Sequence, residues 1–272
     1  MLLQNKTAVI YGAGGSLGSA VAKAFAGSGA RVFLSGRHRD SVQRTGDAIL
    51  AAGGLADVAV VDAFDEKAIG VHLERVVELA GRVDISFNAV GIDVRQGMPL
   101  VDMTMDDFVR PVTQTLQTRF LTAVAAGRVM KRQGGGVILS LTATPGGIGY
   151  PYTGGFAAAC SAVECFSSNM ASELGVYAVR VVNIRSGGSP DSNVFKVAIE
   201  KSPETMKLVL QGMKADTMLK EMPMMNDIAN AAVFLASDMA GKITGVTLDV
   251  TCGTTAGLNY RSISDKREPG TI

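Results

Sequence analysis

The chain has 272 residues, 47% hydrophobic and 19% charged, so it can bury a large core and is not a disordered segment. Its formal net charge of +1, with no block of like charges, leaves no electrostatic footprint for nucleic acid or an anionic membrane surface. No apolar stretch approaches the ~18 residues of a spanning helix, and Cys160, Cys165 and Cys252 form an odd, unpatterned set that suits a reducing cytoplasm.

The length fits one α/β domain over 1–272. The N-terminus shows no charged leader or cleavage site, and its first apolar run already belongs to the fold. His38 and His72 are the only histidines, too little material for a histidine-based metal site or triad, and no metal is expected.

Ala8 to Ile10 is a short apolar run that reads as a buried parallel strand. The turn Gly12-Ala13-Gly14-Gly15-Ser16-Leu17-Gly18 follows at once, and Leu17, Val21, Ala22 and Phe25 then recur at helical spacing. Strand, glycine-rich turn and helix in this order let backbone N–H groups approach a pyrophosphate, with a helix N-terminus behind them that favours negative charge. Glycines also serve ordinary turns, but the flanking strand and helix favour nucleotide binding.

Arg31 to Ser35 predicts a second strand ending in Gly36-Arg37-His38-Arg39. The end of this strand is where an α/β nucleotide fold meets the adenosine ribose, and a carboxylate there would bind its 2′-hydroxyl and repel a 2′-phosphate. Ser35, Arg37 and Arg39 stand there with no carboxylate before Asp40, so NADP(H) is expected in preference to NAD(H). The competing reading is a solvated basic turn.

Residues 40–52 read as a helix stopped by Gly53-Gly54, and Leu55 to Val61 as a third strand ending in Asp62. Asp65 then caps a helix with Ala68, Val71, Leu73, Val76, Val77 and Leu79 on its apolar side. Val83 to Phe87 is a fourth strand, ending in Asn88-Ala89-Val90-Gly91. Unbroken alternation of strand and helix predicts a parallel sheet with helices on both faces.

These residues resemble the short-chain dehydrogenase/reductase family from about residue 5 to 256. Gly12 to Gly18 stands at the family's Thr-Gly-x-x-x-Gly-x-Gly turn, with Tyr11 for threonine and Ser16 for the middle glycine. Asp62 matches the aspartate that contacts adenine, and Asn88-Ala89-Val90-Gly91 matches Asn-Asn-Ala-Gly. Phe234-Leu235-Ala236-Ser237-Asp238 and Ile243-Thr244-Gly245 reproduce a further recurrent signature. The resemblance implies a Rossmann-type, doubly wound sheet of seven strands in the order 3-2-1-4-5-6-7, and cofactor contacts from Gly12, Gly14, Gly15, Ser16, Leu17, Gly18, Ser35, Arg37, Asp62, Asn88, Ala89 and Gly91. It also implies a homo-oligomer, dimer or tetramer, built through the helices at 104–132 and 151–174, whose small residues permit close packing.

Residues 104–132 form the long helix after the fourth strand, and Gly136 to Leu141 the fifth strand. At the places of the family's catalytic asparagine, serine, tyrosine and lysine, the resemblance finds Thr115, Ala143, Phe156 and Cys160. Positions 156 and 160 are one helical turn apart, as the chemistry requires. That chemistry protonates a carbonyl oxygen as hydride reaches its carbon, and it needs an acidic hydroxyl, a nearby cation and a second donor. Phenylalanine has no proton to give, and a thiol of ordinary pKa ~8.5 supplies no cation. Tyr150 and Tyr152, on the loop leading into this helix, could donate from another angle or simply pack the pocket wall.

Val179 to Ile184 is a sixth strand. The segment 185–192 occupies the family's Pro-Gly-x-x-x-Thr stretch, which holds the nicotinamide amide, and retains Gly188 and a hydroxyl at Ser192. Residues 190–225 are expected to form a substrate lid. Their methionines suit an adaptable pocket for a small apolar organic substrate, or equally a core or subunit contact. Asp227 to Ser237 reads as a last helix, Val246 to Val250 as a seventh strand and 262–272 as a polar surface arm. Three functions fit: an NADP(H)-dependent oxidoreductase with an unconventional proton donor, acting on a polarised double bond; a non-redox cyclase, isomerase or dehydratase; and a nucleotide-binding pseudoenzyme. Fold alone does not choose among them.

Overall fold

The computed structural model describes residues 1–257. Its strands are β1 Thr7–Tyr11, β2 Arg31–Gly36, β3 Leu55–Val60, β4 Ile85–Asn88, β5 Gly136–Ala143, β6 Val179–Ser186 and β7 Thr247–Val250. The helices are α1 Ser16–Gly27, α2 Arg39–Ala51, α3 Glu66–Ala80, α4 Met105–Gln133, α5 Gly155–Leu174, α6 Asn193–Lys201, α7 Pro203–Ala215 and α8 Met225–Ala236. The strands form one seven-stranded sheet in the order β3-β2-β1-β4-β5-β6-β7, with every neighbouring pair parallel. Fold and strand order match the sequence expectation.

Strand β1 shows how the sheet builds a core on each face. Alternate side chains of a strand point to opposite sides, so Ala8 and Ile10 pack with Val21 and Phe25 of α1 and with Ile228 and Leu235 of α8. Val9 and Tyr11 pack on the other side with Ile69 and Leu73 of α3 and Met130 of α4. Each such large side chain, taken out of water, contributes roughly 1.5–3 kcal/mol.

Several boundaries and one face differ from the sequence reading. Strands β5 and β6 pair for two residues beyond Leu141 and Ile184, through Thr142–Arg185 and Ala143–Ser186, so Ala143 still belongs to the sheet. Helix α8 starts at Met225 because the Asp227 carboxylate accepts the Met224 N–H at 2.8 Å and caps the first turn. On α3 the buried residues are Ile69, His72, Leu73 and Val76, spaced i, i+3, i+4, i+7. Val71 and Leu79 face outward instead.

Helices α6 and α7 lie within the expected lid, and neither buries a residue fully. The expected arm at 262–272 lies outside the described residues. Among those described, no helix is long and apolar enough to cross a membrane.

Candidate functional site

The order of the sheet places β2 and β4 on opposite sides of β1, and a crevice opens where the chain changes direction. The glycine-rich turn sits there. Gly12 has φ +76°, and a Cβ on it would stand 2.8 Å from the main chain of Ala89. A Cβ on Gly14 would collide with Ser41 Oγ, and one on Gly18 with the Gly12 carbonyl. These spacings hold the turn tightly against its neighbours. Gly15 is the N-cap of α1, with no side-chain cap and no acidic residue in the first turn, so the helix presents its open N–H groups. Leu17 packs into the core beside them. Ser16 Oγ accepts the main-chain N–H of Asn193 at 2.9 Å, tying the start of α6 to this turn.

A cavity of about 260 Å³ extends from the turn, with Arg37, His38 and Ser41 on one wall, Asp62 and Phe64 on another, and Ala89 to Gly91 on a third. Asp62 is the one carboxylate among its lining residues, and its Oδ1 accepts the Phe64 N–H at 3.0 Å. Ser35, expected at this edge, is fully buried, and its hydroxyl donates to the Ile10 carbonyl at 3.2 Å. Ser41 stands at the rim instead, a residue that sequence reasoning missed. Its signal was its place in the first turn of a helix that follows the basic loop.

Asn88 turns away from the crevice. Its Nδ2 donates to the Thr118 carbonyl at 3.1 Å and to Thr122 Oγ1 at 2.8 Å, and its Oδ1 accepts the Val90 N–H at 2.9 Å. The same Oδ1 accepts from Arg119 Nη1. Both terminal nitrogens of Arg119 also donate to the Val90 carbonyl at 3.3 Å. Arg119 is buried, its Nε has no partner, and among the described residues it forms no ion pair. Burial lowers the guanidinium pKa to about 10, which still leaves it charged at neutral pH.

Thr115 lies one turn before Arg119 on α4. Cys160 is buried on α5, its thiol set against the main chain of Ala143 and within electrostatic reach of Arg119. Burial pushes that thiol up to about 11, so it stays protonated and is a poor nucleophile. The structure thus brings Ala143 and Cys160 together and adds a cation from α4 that the sequence did not reveal. Beside them, Thr142 Oγ1 donates to Glu164 at 2.8 Å and accepts from Asn183 at 2.7 Å, leaving it engaged. Glu164 pairs in turn with Arg185, whose Nη1 reaches Asp249 at 2.9 Å.

The two loop tyrosines part company. Tyr150 is half-buried, and burial, then the neighbouring Asp216 carboxylate, raises its phenol pKa. It therefore faces the end of α7. Tyr152 is 58% exposed and left-handed at φ 61°. Gly188 packs against α6 and α7, where an added Cβ would meet Met213 at 2.5 Å and Phe195 at 2.9 Å. Ser192 caps α6, accepting the Phe195 N–H. Between them, Ser189 Oγ is buried without a partner.

A family model described as enoyl-(acyl carrier protein) reductase matches residues 12–255. The 7alpha-hydroxysteroid dehydrogenase of Escherichia coli K12 is 31% identical over 257 residues, covering 94% of this chain and 97% of that protein. Among solved structures, a short-chain dehydrogenase/reductase from Burkholderia xenovorans superposes with TM-score 0.86 at 30% identity, covering 94% of this chain and 98% of the other. A 7 alpha-hydroxysteroid dehydrogenase complexed with NADH and 7-oxo glycochenodeoxycholic acid superposes with TM-score 0.83 at 31% identity, covering 92% and 94%. Relatives of this chain are oxidoreductases, and solved neighbours bind nicotinamide cofactors. The chain belongs to the short-chain dehydrogenase/reductase family.

Proposed function

We propose that this protein is an NADP(H)-binding oxidoreductase that reduces a polarised double bond rather than a simple ketone, in an active site without the family's Asn-Ser-Tyr-Lys set. The observation that carries the reading is a cofactor crevice with its cradle intact beside a helix face that offers no ordinary proton donor. An added Cβ would collide with the main chain of Ala89 at Gly12, with Ser41 at Gly14 and with the turn's own Gly12 carbonyl at Gly18, so the turn keeps its close-packed glycine form. The unpartnered Ser189 hydroxyl lies in the segment next to Gly188 and Ser192, where an amide would be received. These residues fit a dinucleotide.

The roles follow from the chemistry of each group. The turn Gly12 to Gly18 and the N-terminus of α1 would hold the pyrophosphate, with Ser16 bracing the lid. Arg37 would pair with a 2′-phosphate, Asp62 would meet the adenine, and Ala89 and Gly91 would form the floor, braced from behind by Asn88 through the Val90 N–H. When bound, the reduced cofactor supplies a hydride. Ala143 and Phe156 can neither donate to an oxygen nor protonate it, and the Cys160 thiol is held protonated by burial. Tyr150, half-buried beneath the lid, is the better placed of the two tyrosines to give a proton. Tyr152 is too exposed to act in a dry site. The enoyl-reductase description of the matching family supports a carbon–carbon double bond as the hydride acceptor. The apolar lid supports a small apolar substrate, and the exposed Phe120 on α4 supports a homo-oligomer.

Steady-state NADPH oxidation against matched panels of ketones and α,β-unsaturated substrates tests the reading. Removing one donor to a developing oxyanion costs ~3–4 kcal/mol, or about 10²–10³ in rate, and here two donors are replaced. Ketones should therefore stand essentially unreduced, and Phe156→Tyr with Cys160→Lys should restore little. Ketone turnover in the ordinary range of ~1–10³ per second would overturn the proposal.

A further inference from the structure

We infer that Arg119 selects the redox state of the cofactor: its buried, unpaired charge favours the neutral nicotinamide ring of NADPH over the cationic ring of NADP+. The inference rests on the cofactor reading above. Its starting point is placement. The adenosine wall, with Arg37 and Asp62, lies on the β2–β3 side of the crevice. The second half of a dinucleotide must cross the switch point toward β4 and β5. Arg119 stands on that second side, bonded to Asn88 and Val90 at the end of β4 and within electrostatic reach of Cys160 on α5.

The charge there is not neutralised. Among the described residues no carboxylate pairs with Arg119, in contrast to Arg185, which is held between Glu164 and Asp249. Its hydrogen-bond partners are an amide oxygen, a hydroxyl and a carbonyl, all uncharged. In surroundings drier than water such a charge is felt over several ångströms. Hydride transfer turns the neutral dihydronicotinamide ring into a cation, so a fixed positive charge nearby weakens the oxidised form and leaves the reduced form untouched. The site then loads NADPH and releases NADP+. A guanidinium that only fastened the β4 turn would affect both forms alike.

Fluorescence and calorimetric titration of the full chain with NADPH, NADP+ and 2′,5′-ADP tests this, using wild type, Arg119→Lys and Arg119→Met. Wild type should bind NADPH roughly tenfold more tightly than NADP+, the order expected for repulsion between two like charges in protein surroundings. Arg119→Lys should keep the ratio. Arg119→Met should bring it to within about twofold, chiefly by tightening NADP+, while 2′,5′-ADP binding stays unchanged. A ratio that survives in Arg119→Met overturns the inference. So does a wild-type ratio of one or below, which decides the matter even if Arg119→Met does not fold. Failure of wild type to bind 2′,5′-ADP or either dinucleotide would instead remove the cofactor reading and the inference with it.

Discussion

The main-chain N–H of Asn193 donates to the Ser16 hydroxyl at 2.9 Å, joining the first residue of α6 to the first residue of α1. The Ser16 hydroxyl in the glycine-rich turn thereby ties down the start of α6, and on the proposed reading it serves as a latch for the lid. One neutral hydrogen bond contributes about 1 kcal/mol, so Ser16→Gly should raise the open fraction of the lid about fivefold. Limited proteolysis within 190–225 should quicken by that factor, with cleavage elsewhere unchanged. An unaltered rate would show that the lid is held by its methionine contacts with Gly188 and Gly253 instead.

Arg37 is exposed at the mouth of the cavity, beside His38 and Ser41. A charge-assisted pair to a 2′-phosphate contributes enough that Arg37→Ala should weaken NADP(H) binding by about tenfold to a hundredfold. NAD(H), which lacks that phosphate, should change by less than about twofold. Equal losses for both cofactors, measured by titration, would make Arg37 a structural residue.

His72 is buried on α3 edge-on to Tyr11, with ring centroids 6.2 Å apart. Burial lowers its imidazole to about 4, and Nε2 has no partner. Above its ordinary pKa of ~6.5, folded and unfolded chains both hold it neutral and it has no effect on the pH dependence of stability. As pH falls from there, the unfolded chain takes up a proton that the folded chain refuses until about pH 4. Stability should drop by about 3 kcal/mol across that window. Chemical denaturation of His72→Leu at both ends of the window should lose this component of the slope; an unchanged slope would assign it to other groups.

Phe120 on α4 is 52% exposed and lies 5.9 Å, centroid to centroid, from Phe166 on α5. An aromatic pair on the surface formed by two packed helices suits the proposed contact with a second copy. Phe120→Asp should weaken self-association by about thirtyfold, the loss of one buried anchor. Light scattering at micromolar concentration should then show the monomer mass. A mass unchanged by the substitution would place the subunit contact elsewhere.

Much of the frame was legible because its signals are local. Strand, glycine turn and helix follow one another from Thr7 to Gly27, and the apolar run Ala8 to Ile10 marks β1 as a buried strand. Ser35 was misjudged because its residue number places it at the strand end while the pleat turns it inward to Ile10. Val71 and Leu79 were assigned to the buried side of α3 by their character, whereas the spacing of Ile69, Leu73 and Val76 fixes the face. Arg119 escaped notice although its signal was present. It falls in the buried row with Thr118, Thr122, Ala123 and Ala126, and an arginine in such a row marks a charge carried inside. No pattern in one sequence could say that α4 would bring it beside Cys160.

The guanidinium of Arg119 also dictates how a ketoreductase would have to be rebuilt on this chain. A lysine installed at position 160 would enter the field of a cation already in place, and neither burial nor a like charge favours its ammonium form. Burial and the Arg119 cation would both push its pKa down, against the nearby Glu164 carboxylate, which favours its charge. Positions 119 and 160 are electrostatically coupled, so a mutant library aimed at ketone reduction should vary the two together.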